Sequence, residues 1–319
     1  MSGSRTRRRW IGVALVIGLA ACNRGGSEGP TVALVVKTLN NPFFVDMERG
    51  AREVADSLGF ELVVQAPERE IDPERQMQII ENLIQRRVDL LAIVPNGSRE
   101  IVPVVVEANE AGIPVVVVDT RLDAATLARA GGRIVTFIGS DNVDGGRLAG
   151  RHVTERLGGA GRVAIIEGIP GHETGDSRLR GFRESIDAHP GITIVASQTA
   201  NWERDQAFNV AQNILQAHPD LQAIFAANDI MALGAVEAVG AAGRTGDVLV
   251  VGFDAQDDAI AAMREGRMAA SIAQHPHEMG RRAMLTAKRV LDGESVPAEQ
   301  PVAIRLVTRD SVGRAEPEP

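Results

Sequence analysis

The chain has 319 residues, enough for about two domains of ~150 residues each. Apolar residues make up 44% and charged residues 24%, the balance of a globular protein. The formal net charge is −8, which argues against nucleic-acid binding, because such proteins present a basic surface. Cys22 is the only cysteine, so no disulfide can form within the chain.

The first residues are typical of an exported protein. A basic start precedes the apolar run "IGVALVIGLAA", which is too short to span a bilayer, so residues 1–21 are predicted to be a signal peptide. The ending "LAAC" is typical of a bacterial lipoprotein with its lipid on Cys22; an ordinary signal peptide with an incidental cysteine is the alternative. "TRRRWI" leaves open export by the general or the twin-arginine route.

Both ends of the mature chain are predicted to lie outside the fold. Residues 22–30 are Gly- and Ser-rich and predict a flexible tether, and residues 313–319 predict a disordered tail. Removing residues 1–21, which hold four arginines and no acid, would change the formal charge from −8 to −12. The expected mature protein is therefore more acidic than the whole chain.

Ten apolar, mostly β-branched runs then alternate with segments of helical spacing. Continuous runs of this kind predict parallel strands that are covered on both faces. The first helix has apolar Met47, Ala51 and Val54 on one face and is predicted to end at Gly59. Because ten strands exceed one compact open sheet, the fold class is predicted as α/β with two doubly wound, parallel-sheet lobes. The runs are "TVALVV", "FELVVQA", "VDLLAIVP", "IPVVVVD", "IVTFIGS", "GRVAIIEG", "ITIVASQ", "LQAIFAA", "DVLVVGF" and "MAASIAQ".

Polar and aromatic residues follow several of these strands. Ligands of open α/β sheets bind beyond the carboxyl ends of the strands, so these residues are candidates for a site between the lobes. Four of these residues also have a structural interpretation: Asn41 as a helix cap before Pro42, Asp119 and Asp254 as caps of later helices, and Phe44 as a core residue. The candidates at strand ends are Lys37, Asn41, Phe43, Phe44, Asp119, Asn228 and Asp254.

Two further residues have an open interpretation on sequence alone. Arg178 could be a solvated helical arginine or a ligand residue, and Trp202, between a strand and a helix, could belong to the core or to the site. Aromatic faces pack on the apolar C–H face of a sugar, and carboxylates accept hydrogen bonds from its hydroxyls.

Other chemistry is poorly supported. "GIPGHETG" lacks the spacing of a nucleotide loop and is interpreted as a cleft loop. "HPHE" and "SDNVDGG" lack the ligand spacing of zinc and calcium sites, and no nucleophile elbow appears. The sequence therefore predicts no metal, no cofactor and no catalytic residue.

From Thr31 to about Arg309 the chain resembles the periplasmic sugar-binding proteins of ABC transporters, specifically the ribose- and allose-binding type. The motifs that carry the resemblance are "TLNNPFF", "GSDNVDGG", "VASQTANWERD", "FAANDIMALGA", "VLVVGFDA" and "SIAQHP". The resemblance implies two lobes joined by three crossovers near Ser140, Gln274 and Ala303. The lobes would comprise residues 31–140 with 275–303, and residues 141–274 with 304–312.

The resemblance also implies a sugar site and a closing hinge. Aromatic faces would come from Phe43, Phe44 and Trp202, and the polar ring would comprise Asn41, Asp119, Arg178, Asn228, Asp254 and Gln274. The implied partners are a monosaccharide and an ABC permease with its ATPase, for an exported monomer held at the membrane through the Cys22 lipid.

Two positions bear on the choice of sugar. Lys37 stands where the ribose type has a small serine-like residue and where the allose type has lysine. Thr120 stands where the ribose type has arginine and the allose type is expected to have a charged residue. An allose- or allulose-like hexose is favoured, with ribose or a polyol as the alternative; a receptor subunit for a kinase or chemoreceptor also remains open.

Overall fold

The computed structural model describes residues 29–312, in which twelve strands alternate with ten helices. The predicted signal peptide, Cys22, residues 22–28 of the tether and the tail from residue 313 lie outside the described residues. Across the described range, no helix combines the length and apolarity needed to cross a membrane.

The first lobe is built on a six-stranded sheet with strand order β11-β5-β4-β3-β1-β2, in which every pairing is parallel. Its strands are β1 (Thr31–Val35), β2 (Glu61–Gln65), β3 (Leu90–Ile93), β4 (Val115–Val118), β5 (Thr136–Gly139) and β11 (Glu299–Pro301). Its helices are α1 (Pro42–Leu58), α2 (Pro73–Gln85), α3 (Val102–Glu110), α4 (Ala124–Arg129) and α10 (Pro276–Leu291).

The second lobe has the matching order β12-β10-β9-β8-β6-β7, with one antiparallel pair, β10 with β12. Its strands are β6 (Ala160–Glu167), β7 (Gly191–Thr199), β8 (Ala223–Ala226), β9 (Leu249–Asp254), β10 (Ala270–Ala273) and β12 (Arg305–Thr308). Its helices are α5 (Asn142–Arg156), α6 (Glu173–Asp187), α7 (Arg204–Ala217), α8 (Asp229–Ala241) and α9 (Asp257–Arg264).

Each sheet is covered by helices on both faces, which is why its strands are continuously apolar. In the first lobe, α1 and α10 contribute to one buried cluster while α2 and α3 contribute to the other. In the second lobe, α7, α8 and α9 cover one face and α5 and α6 the other. The predicted class, two doubly wound parallel-sheet lobes, is confirmed.

All ten predicted strand runs form strands, and the first helix ends at Gly59, whose φ of +69° suits glycine. The two additional strands, β11 and β12, have three and four residues and lack a long apolar run.

The chain passes between the sheets three times: between β5 and β6, between β10 and β11, and between β11 and β12. Ser140, Gln274 and Ala303 each lie in one of these connections. The lobe boundaries drawn from the sequence stay a prediction.

Both sheets reverse their winding beside their first strand, at β1/β3 and at β6/β8. Such switch points open a crevice at the carboxyl edge of a sheet, and the two edges face each other across the cleft.

Candidate functional site

A cavity of about 290 Å³ lies between the carboxyl edges of the two sheets. Eleven residues from both lobes line it: Lys37, Asn41, Phe43, Phe44, Glu70, Asp119, Thr174, Arg178, Trp202, Asn228 and Asp254.

On the first-lobe side, Lys37 and Asp119 form a buried ion pair. Lys37 Nζ lies 3.5 Å from Asp119 Oδ2, and the same oxygen accepts a 2.9 Å hydrogen bond from the Thr120 hydroxyl. Both charged side chains are 4% exposed. A buried charge pair needs such additional hydrogen bonds to offset its desolvation, so Thr120 fixes the carboxylate that faces the cavity.

On the second-lobe side, Arg178 is held by four neighbours. Its Nε donates to Asn142 Oδ1 and its Nη1 to the Ala227 carbonyl, each at 2.8 Å. Nη1 also lies 3.7 Å from Asp254 Oδ1, and the guanidinium stacks 3.9 Å from the centre of the Phe253 ring. These contacts fix the guanidinium plane, which excludes the interpretation of Arg178 as a solvated helical residue.

Three aromatic rings face the same cavity. Phe43 and Phe44 pack edge to face with centroids 5.2 Å apart, and both also belong to the apolar cluster beneath α1. Trp202, on the opposite lobe, donates through Nε1 to His172 Nδ1 at 3.4 Å. All three rings are therefore both core residues and site residues, because they are buried and they line the cavity.

Two asparagines begin helices at the edge of the cavity. Asn41 Oδ1 accepts from Phe43 N at 3.0 Å, and Asn228 Oδ1 accepts from Met231 N at 2.9 Å, so both are N-caps. Asn41 Oδ1 also accepts a 3.0 Å hydrogen bond from Gln256 Nε2 of the other lobe. The lobes therefore touch directly beside the cavity.

Left-handed backbone is concentrated at this site. Asp119, Trp202 and Asp254 have φ of +62°, +66° and +113°, values that residues other than glycine rarely adopt. Such strain persists only where the surroundings impose it and is common at binding sites. Neither aspartate caps the helix that follows, because Asp123 and Gln256 hold those positions.

Burial shifts the acid–base behaviour of the site. It raises the pKa of Asp254 to about 7, although Arg178 and the hydrogen bond from Gln274 oppose the shift. Burial likewise raises the pKa of Glu70, against the fields of Lys37 and Arg178. Burial lowers the pKa of His172 to about 3, with a smaller contribution from Lys37, so its ring is neutral and can accept from Trp202.

Nine of the ten residues predicted from sequence line the cavity. The tenth, Gln274, does not line it but donates through Nε2 to Asp254 Oδ1 at 2.8 Å. Sequence reasoning missed Glu70 and Thr174. Glu70 lies in the loop between β2 and α2, beyond the end of the strand, whereas Thr174 and His172 lie in "GIPGHETG", the predicted cleft loop.

No group of three His, Cys, Asp or Glu side chains within residues 29–312 is arranged to hold a metal ion. The residues that line the cavity offer hydrogen-bond donors, hydrogen-bond acceptors and aromatic faces.

Two lobes with a polar, aromatic-walled cavity between them are typical of a solute-binding protein. A family model described as "Periplasmic binding protein domain" matches residues 32–295, and the chain belongs to this family. The chain is 40% identical over 295 residues to the ribose import binding protein of Haemophilus influenzae, covering 92% of this chain and 97% of that protein.

Two further similarities concern allose. The D-allose-binding periplasmic protein of Escherichia coli is 38% identical over 279 residues, with 86% and 89% of the two chains covered. The crystal structure of an ABC transporter periplasmic solute-binding protein from Actinobacillus succinogenes with bound D-allose superposes with a TM-score of 0.85. It is 39% identical, and the match covers 90% of this chain and all of that one.

Proposed function

We propose that this protein is the solute-binding component of an ABC importer and binds one neutral monosaccharide in the cavity between its lobes. An allose- or allulose-like hexose is the favoured ligand, and ribose is the main alternative. The observation that carries the proposal is the arrangement of two paired cation–carboxylate couples and three aromatic rings around one cavity.

The charges favour a neutral ligand. The cations Lys37 and Arg178 each face a carboxylate, and Glu70 adds a third carboxyl group. A sugar acid or sugar phosphate would bring a further negative charge without meeting a cation that is not already paired, which disfavours its burial. A neutral sugar instead offers hydroxyl groups, which both donate to carboxylates and accept from the cations.

The choice of sugar rests on the first-lobe pair. Lys37 places a cationic donor beside Asp119, while Thr120 occupies one oxygen of that carboxylate. The remaining lone pairs of the Asp119 carboxylate would accept hydrogen bonds from hydroxyls of the ligand. A sugar that leaves a buried polar group unpaired would bind weakly. The similarity to both ribose- and allose-binding proteins is compatible with either sugar.

The mechanism is lobe closure. The open form would bind the sugar on one lobe, and contacts with the second lobe would then stabilise the closed population. The closed form would dock on a membrane permease whose ATPase drives import. We propose further that the protein is exported, is monomeric and is anchored through lipid on Cys22, and that it uses no cofactor and catalyses no reaction.

Isothermal titration calorimetry of the protein beginning at Thr31 tests this function. D-allose, D-allulose, D-ribose, a polyol, a sugar acid and a sugar phosphate are titrated in turn. We expect one-to-one binding of a neutral sugar and no binding of the sugar acid or the sugar phosphate. Arg178→Ala should abolish that binding, while Arg180→Ala, an exposed arginine on the same helix, should not. The absence of binding by every neutral sugar and polyol would overturn the proposal.

A further inference from the structure

The loop of residues 67–72, which joins β2 to α2, forms the outer wall of the cavity. Glu70 lines the cavity and also lines a second groove of about 960 Å³ that runs between the lobes. Asn41 and Trp202 border both spaces as well. These three side chains therefore lie at the boundary between the cavity and the outer groove.

The 67–72 loop is fixed to the first lobe and reaches the second. The Glu68 carbonyl accepts from the Thr38 hydroxyl at 2.9 Å and from Asn40 Nδ2 at 2.8 Å. Nη2 of the next residue, Arg69, lies 3.2 Å from Oε1 of Glu203 in the second lobe. The backbone of the loop is thus held in place on the first lobe, and Glu70 lines the cavity from this loop.

Three carboxyl groups of the described residues line the cavity. Asp119 and Asp254 each lie in an ion pair, and Glu70 does not. Within the described residues, its side chain accepts one hydrogen bond, from Asn41 Nδ2 to Oε1 at 3.2 Å. Burial disfavours its ionised form, which raises its pKa although two cations lie nearby. Glu70 is half-buried, and within the described residues only Oε1 accepts a protein hydrogen bond, so its second oxygen is available to pair with a polar group of a ligand.

We propose that the second carboxyl oxygen of Glu70 forms a hydrogen bond with one hydroxyl group of the bound monosaccharide, while the first oxygen accepts from Asn41. The assignment rests on the proposed function of the cavity and adds to it a specificity-determining residue on the first lobe. Because Glu70 sits at the outer wall, it contacts the part of the sugar that faces the 67–72 loop.

The test compares Glu70→Ala and Glu70→Gln with Glu68→Ala, an exposed glutamate on the same loop that serves as the matched control. Calorimetry measures the Kd of D-allose, D-ribose and the monodeoxy derivatives of D-allose. We expect Glu70→Ala to raise the Kd of the preferred sugar roughly tenfold, with a smaller rise in Glu70→Gln and no change in Glu68→Ala.

The deoxy sugars separate direct contact from a structural role. For one derivative, which lacks the hydroxyl that Glu70 reads, the wild type and Glu70→Ala should bind with similar Kd. A uniform loss across all sugars, or a change of less than about twofold in both Glu70 variants, would overturn the assignment but leave the proposed function intact. If the wild type binds none of these sugars, both proposals are wrong.

Discussion

Gln256 of the second lobe donates a 3.0 Å hydrogen bond to Asn41 of the first lobe, beside the cavity. The same Asn41 oxygen caps α1 through Phe43 N, and the Asn41 amide nitrogen donates to Glu70. One buried side chain therefore joins the start of a helix, the wall of the cavity and the opposite lobe. Closure of the lobes and the shape of the cavity are coupled at this point.

Gln256→Ala removes one of the contacts between the lobes, the hydrogen bond to Asn41, without changing the charged residues that line the cavity. The closed state should lose about 0.5–1.5 kcal/mol, which corresponds to a rise in sugar Kd of roughly 2–10-fold. Small-angle X-ray scattering should show a larger radius of gyration without sugar and an unchanged one at saturation. Gln216→Ala, on the exposed side of α7, is the control. Unchanged Kd and radius would show that this hydrogen bond plays no part in closure.

Thr120→Val removes a hydroxyl and keeps the shape of the side chain. Asp119 would lose the 2.9 Å hydrogen bond that orients its carboxylate, at a site where Thr120 is only 1% exposed. We expect sugar Kd to rise roughly fivefold or more and the preference among sugars to change, because one carboxylate oxygen becomes available. Calorimetry with the same sugar panel measures both. Identical sugar preferences in the variant and the wild type would contradict the role of Thr120.

Gly168→Ala should displace Trp202. A Cβ atom at position 168 would lie 2.1 Å from Trp202 Cζ2, and the ring is 7% exposed with little room to move. Overpacking of this kind typically costs about 1–3 kcal/mol, so we expect a lower melting temperature together with weaker sugar binding. The matched change is Gly240→Ala, where the nearest atom lies 3.8 Å away. Normal sugar affinity in Gly168→Ala would argue against a sugar contact by this ring.

His172 predicts a pH dependence of stability. Its pKa of about 3 lies below the ordinary value of 6.5, so the unfolded chain binds the proton more readily than the folded one. The contribution of neutral His172 to the free energy of unfolding is fully present above pH 6.5. It is lost as the pH falls towards 3, with a slope of up to ~1.4 kcal/mol per pH unit. His172→Asn, which keeps an acceptor for Trp202, should show a shallower dependence between pH 4 and 6. Denaturant unfolding of both proteins measures the difference, and parallel curves would contradict it.

Much of the fold could be predicted because its strands are buried on both faces. Covered parallel strands need continuous apolar residues, and ten such runs are visible in the sequence. Strands β11 and β12 were not predicted, because short strands added at the edge of a sheet carry little pattern. The pairing of β12 antiparallel to β10 is likewise set by tertiary packing.

The candidate site could be predicted where residues directly follow a strand, as Lys37 and Asp119 do. Arg178 lies within a helix, and only the resemblance raised it from a surface arginine to a site residue. Glu70 was missed because "PERE" has the composition of a solvated loop, and because Glu70 lies several residues beyond the end of β2. Contacts across the cleft, such as Gln256 with Asn41, join positions 215 residues apart and leave no local pattern.

Trp202 offers the most direct test of the central claim. The chain has two tryptophans, Trp10 and Trp202. In a protein that begins at Thr31, the tryptophan fluorescence therefore comes from Trp202 alone, which lines the cavity. Titration with D-allose and D-ribose should give a saturable change in emission with one-to-one stoichiometry, and Arg178→Ala should abolish it. A sugar that binds by calorimetry without altering Trp202 emission, or with unaltered affinity in Arg178→Ala, would place the ligand elsewhere and contradict this account.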